Sequence, residues 1–134
     1  MSILDIIKEE VKNDHEYVVG LRRYFHSHPE LPRQEFNTAK KIEEELDKLG
    51  IAHKRVDETG IYAEIIGNHP GKTILLRADI DALPIHEKNE ASYKSQNEGV
   101  MHACGHDAHT AGLLGACRIL VNHKEDIYGK IVIN

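Results

Sequence analysis

The run Thr73-Ile74-Leu75-Leu76, followed at once by Arg77-Ala78-Asp79-Ile80-Asp81, constrains this chain more than any other stretch. A strand wet on one side alternates apolar and polar residues; this one does not, so it reads as covered on both faces. Strands of that kind belong to a layered α/β sheet with helices packed against it. The strand is expected over Thr73 to Asp79. Two others precede it, Ile51 to Val56 and Ile61 to Ile66, separated by the turn chemistry of Glu58-Thr59-Gly60 and Gly67-Asn68-His69-Pro70-Gly71. Ile131-Val132-Ile133 begins a further strand.

Helical spacing dominates the rest. From Ile3 to about Phe25 the residues Ile3, Ile7, Val11, Val18, Leu21 and Phe25 fall on one face, and Pro29 and Pro32 end the helix. A second helix is expected from Asn37 or Thr38, with Ile42, Leu46 and Leu49 on its apolar face and Gly50 stopping it. From Ala108 to Val121 nearly every residue is small or apolar, which predicts a helix buried on most sides. Residues 85 to 101 are polar and read as a long loop of the kind that often carries function. Repeats, low-complexity tracts and linkers are absent, and 134 residues suit one compact unit.

A net charge of -5, with the Arg22–Arg23 pair too small to form a basic cluster, argues against a nucleic-acid partner, which would need a clustered basic surface. Near the N-terminus Ile3, Leu4, Ile6 and Ile7 are interleaved with Asp5, Lys8, Glu9 and Glu10, so no secretory or membrane segment is expected there. Two cysteines are too few for a disulfide framework and fit a reducing compartment. The expected setting is cytoplasmic, without membrane contact.

The densest chemistry is Met101-His102-Ala103-Cys104-Gly105-His106-Asp107-Ala108-His109, just ahead of the buried helix. Thiolate and imidazole are preferred ligands of zinc and other late divalent ions, and Gly105 lets the backbone turn so that Cys104 and His106 converge on one ion. His102 and His109 are open between ligand and ordinary roles, whereas Cys117 reads as helix packing. Asp79 and Asp81 lie where the apolar strand ends, the edge at which α/β sheets gather ligands. On that shared strand face they either point at a cation, or one accepts a hydrogen bond from a metal-bound imidazole. For an isolated Asp-x-Asp the simpler reading is that Asp79 pairs with Arg77. His26 and His28 read as polar caps at a helix end. Gly67-Asn68-His69-Pro70-Gly71-Lys72-Thr73 imitates a phosphate loop but has three residues between its glycines where four are needed, and it reads as a hairpin turn.

Taken together, RRYFHSHPELPRQE, LLRADIDALPI and MHACGHDAHTAGLLGA resemble the N-acyl-amino-acid amidohydrolases, which include hippurate hydrolase, auxin-conjugate hydrolases and N-acetyl-diaminopimelate deacetylase, within the aminoacylase and carboxypeptidase clan. The resemblance implies that Cys104 and His106 are metal ligands and that Asp81 is catalytic or stands just behind the metal. It implies divalent ions (zinc, manganese, cobalt or nickel), two in the complete enzyme, and a small-molecule N-acyl amino acid as substrate. Residues 1–134 then correspond to the N-terminal portion of a layered sheet-and-helix metallohydrolase catalytic domain. An inserted dimerisation or lid domain and a C-terminal half lie outside it, and homo-oligomers are expected only of the complete protein.

The same resemblance puts an acidic pair, one member the general base, just after the strand at Gly129 to Asn134, with further histidine ligands later. The ions would polarise the amide carbonyl and acidify a water that the base deprotonates. Residues 1–134 alone are therefore expected to be inactive. Two other readings compete: a truncated remnant binding metal weakly, and an aspartate-dependent phosphotransferase using Asp79 and Asp81.

Overall fold

The computed structural model describes residues 1–134, a mixed α/β unit with a four-stranded sheet. The chain runs α1 (Ile3–Asn13), α2 (His15–Ser27), α3 (Phe36–Lys48), β1 (Ala52–Val56), β2 (Gly60–Ile66), β3 (His69–Leu76), α4 (His106–Val121), a 3-10 turn (Lys124–Asp126) and β4 (Tyr128–Ile133).

The single helix expected from Ile3 to Phe25 is two. It breaks at Asp14, where two poor helix formers, Asn13 and Asp14, meet and the Asp14 carboxylate reaches Arg118 of α4 at 3.5 Å. α1 buries none of its residues, whereas α2 buries Leu21, Phe25 and His26 and lies along α4. α3 begins at Phe36 and ends just before Gly50, close to its expected bounds. Its first turn is satisfied from outside: the Glu30 carboxylate accepts hydrogen bonds from the Thr38 amide (2.6 Å) and hydroxyl (2.7 Å) and from the Asn37 amide (3.3 Å).

Strand order is β1-β2-β4-β3, antiparallel except for the β3–β4 pair. Alternate residues of β2 (Ile61, Ala63, Ile65) and β4 (Ile131, Ile133) meet Leu21 and Phe25 of α2, Ala39, Ile42 and Leu46 of α3, and Ala111, Leu114 and Cys117 of α4 in one core. The helices thus cover one face of the sheet.

Two expectations fail for one reason. β4, arriving after α4, inserts between β2 and β3, so Gly67 to Thr73 is not a hairpin turn: β2 and β3 are not hydrogen-bonded neighbours. Among residues 1–134, β3 is therefore the outermost strand, beyond the helices, and within this stretch it is not covered on both faces. Ile74 and Leu75, on opposite faces, are each 59% exposed. The strand also ends at Leu76, which leaves Arg77 to Asp81 as a loop. Where β3 and β4 start side by side the backbones nearly touch, and Gly129 (φ 102) has no room for a Cβ, which would sit 1.9 Å from the Lys72 carbonyl oxygen.

Candidate functional site

β3 and β4 are parallel, so both deliver their C-terminal ends to one edge, and the loop after β3 runs across it towards the start of α4. This loop is pinned on three sides. The Ala82 amide donates to the Glu30 carbonyl (2.8 Å), Leu83 and Met101 exchange two backbone hydrogen bonds (2.9 Å each), and the Thr110 hydroxyl of α4 donates to the Asp79 carbonyl (3.0 Å).

Held there, Asp81 meets His106, the first residue of α4. The His106 Nδ1 lies 2.9 Å from the Asp81 carboxylate and 3.0 Å from the Asp81 carbonyl oxygen. Both oxygens can only accept, so Nδ1–H donates and Nε2 is the ring nitrogen left for another partner. Asp79 is engaged elsewhere, in an exposed ion pair with Arg77 at 2.8 Å.

Cys104 stands two residues before His106, at a turn closed by Gly105 (φ 114), and its residue is exposed. Cys117 is fully buried in the core, and burial pushes its thiol up to about 11. His102 is buried with neither ring nitrogen hydrogen-bonded, and burial holds its imidazole below the ordinary value, in the neutral form at pH 7. His109 is exposed. No set of three or more His, Cys, Asp or Glu side chains converges as a metal site would require.

Behind the Cys104 turn lies an arrangement that residue spacing does not disclose. His26, far from a solvent-exposed helix cap, is buried between two carboxylates: Nδ1 is 2.8 Å from Asp107 and Nε2 is 2.9 Å from Glu87. Arg22, one turn earlier on α2, donates to the same Asp107 oxygen at 3.0 Å. Glu87 also accepts from the Ser95 amide (2.8 Å) and from the Asn89 side chain. Burial alone would raise the Glu87 carboxyl, but the hydrogen bonds from His26, Ser95 and Asn89 outweigh it and hold the group below its ordinary range. Tyr93 of the same loop lies under the Arg22 and Arg23 guanidiniums. Nothing in the sequence around Glu87 marks it out; the only hint was the unusual length of the polar loop that carries it.

An Asp–His pair at parallel strand ends, with an exposed thiol beside it at a helix start, is the kind of site found in α/β hydrolytic enzymes. Residues 75–133, from the end of β3 through β4, match the model of Peptidase family M20/M25/M40. The relatives carry the names the three motifs led one to expect. The chain is 47% identical to an N-acyl-L-amino acid amidohydrolase of Geobacillus stearothermophilus over 92% of its length and 33% of the relative's, and 44% identical to thermostable carboxypeptidase 2 of Saccharolobus solfataricus over 98% and 34%. Among solved structures, the Bacillus subtilis YXEP protein, described as a dinuclear metal-binding peptidase of the M20 family, superposes with a TM-score of 0.87 at 41% identity, covering 91% of this chain and 35% of that one. The chain thus spans about a third of the length of the relatives it matches. No helix is long and apolar enough to cross a membrane.

Proposed function

We propose that this chain is the N-terminal portion of the catalytic domain of a metal-dependent amidohydrolase that cleaves the amide bond of N-acyl amino acids. The observation that carries this reading is the Asp81–His106 hydrogen bond at the start of α4, two residues after the exposed Cys104. A carboxylate that fixes one nitrogen of an imidazole and frees the other is the usual partner of a metal-ligating histidine. The donor chemistry fits a divalent ion such as zinc, manganese, cobalt or nickel. His106 Nε2 and the Cys104 sulfur would hold it, and the other ligands of a two-ion site would come from the rest of the complete enzyme. When bound, the metal would supply Lewis-acid polarisation of the amide carbonyl.

The chain's own residues do the positioning. Asp81 keeps the Nδ1 proton of His106 in place, and Gly105 turns the backbone between thiol and ring. The general base, an inserted dimerisation or lid domain and the C-terminal half belong to the complete enzyme in this reading. Its setting is cytoplasmic, with small-molecule substrates, and any homo-oligomer is formed by the whole protein.

Cobalt(II) titration of the chain tests the reading through the thiolate-to-cobalt absorption band. The band is expected in the native chain and absent from Cys104→Ser, with Asp81→Asn weakening binding by about 10- to 100-fold. Cobalt binding indifferent to all three positions, Cys104, His106 and Asp81, would falsify it. Hydrolysis of an N-acyl amino acid by these 134 residues alone would overturn the division of labour.

A further inference from the structure

We infer that His26 is a positioning residue: clamped between Glu87 and Asp107, it sets the orientation of the Cys104–Gly105–His106 turn and couples the 85–101 loop to it. The inference rests on the metal reading for its consequence but not for its geometry. Asp107 directly follows His106, is 1% exposed, and forms part of the first turn of α4. Its carboxylate is gripped from α2 by two donors four residues apart on one helix face, Arg22 Nε at 3.0 Å and His26 Nδ1 at 2.8 Å. Any rotation of the α4 start that moved His106 would have to stretch both bonds. The far nitrogen of His26 faces Glu87 at 2.9 Å, so the ring cannot flip without breaking a second buried contact.

Arg22 and His26, both on α2, thus hold the buried Asp107 carboxylate together, and His26 ties it on to Glu87. A buried charge network of this kind contributes less to stability than well-packed apolar side chains of similar volume; what it supplies is fixed direction. Nor is Glu87 needed simply to hold its loop down. The loop is anchored independently by the Gln96 amide to the Ser27 carbonyl (2.9 Å), by Asn97 to the Pro29 carbonyl (3.1 Å), and by the Leu83–Met101 bridge.

The test uses the full chain with His26→Ala and the milder Glu87→Gln, each checked for folding by far-UV circular dichroism. Two readouts follow: cobalt(II) affinity with its thiolate band, and, without metal, the rate at which an aromatic disulfide reagent labels Cys104, Cys117 being shielded in the core. Both variants are expected to bind cobalt about tenfold or more weakly with a displaced band, and to label at a rate several-fold different from the native chain. Folded variants with native affinity, band and labelling rate would overturn the clamp. Should His26→Ala not fold, Glu87→Gln decides alone by the same criteria. If the native chain shows no thiolate band, the metal reading fails and the labelling rate by itself settles the clamp.

Discussion

Removing the Glu30 side chain separates a structural role for the His28-Pro29-Glu30 segment from a chemical one. The Glu30 carboxylate accepts from the Thr38 amide at 2.6 Å and hydroxyl at 2.7 Å, and more loosely from the Asn37 amide at 3.3 Å and side chain at 3.2 Å. Thr38 is 4% exposed, so in Glu30→Ala its two donors lose their partner where water cannot readily replace it. Loss of an N-terminal cap costs about 0.5–2 kcal/mol, and an unsatisfied buried donor about 1–3 kcal/mol. The contributions overlap, and the negative charge beside the helix start adds a few tenths to ~1 kcal/mol. A net loss of about 2–3 kcal/mol follows, equivalent to a Tm lowered by roughly 8–12 °C for a chain of this length. Urea unfolding is the assay: the midpoint should fall with an unchanged m-value, because the same surface is exposed. Glu30→Gln, which keeps an acceptor but not the charge, should lose about half as much. A Glu30→Ala chain within about 0.5 kcal/mol of the native one would refute the capping argument, since the value expected of an indifferent surface site is that small.

Gly129→Ala should cost more than about 3 kcal/mol in urea unfolding, because it combines positive-φ strain with a Cβ driven 1.9 Å from the Lys72 carbonyl oxygen. Gly50→Ala, at positive φ but with open space around it, should cost only about 1 kcal/mol, and equal losses at the two sites would sink the steric account. His123 ties α1 to the turn before β4 through Glu10 (2.7 Å) and Asp126 (3.3 Å), and the Glu10 hydrogen bond, against the effect of burial, raises its pKa. A raised folded value means the tie contributes fully below the unfolded value and is lost as pH climbs through the folded one. The Tm gap between the native chain and His123→Gln should therefore be widest at about pH 6 or below and close as the solution turns alkaline; a gap that widened instead would reverse the assignment.

Periodicity alone located α3, the buried α4 and the β1–β2 segments within a few residues, because each is a local pattern of apolar side chains that one helix stripe or one strand face can bury. The local mix of thiol and imidazole likewise marked Cys104 and His106 as candidates, whereas Asp81 stood out only through the family resemblance of its motif. Strand order was not legible. The apolar run at Thr73 to Leu76 looks the same in a central strand as at an edge, and only the insertion of β4 between β2 and β3 decided which. Pairings across long separations were equally hidden: Asp81 with His106, His26 with Glu87 and Asp107, and Glu30 with the start of α3. A hydrogen bond between residues 61 or 81 positions apart leaves no periodic trace; it exists only because packing α2 against α4 and folding a polar loop over both brings these buried polar side chains within reach of one another.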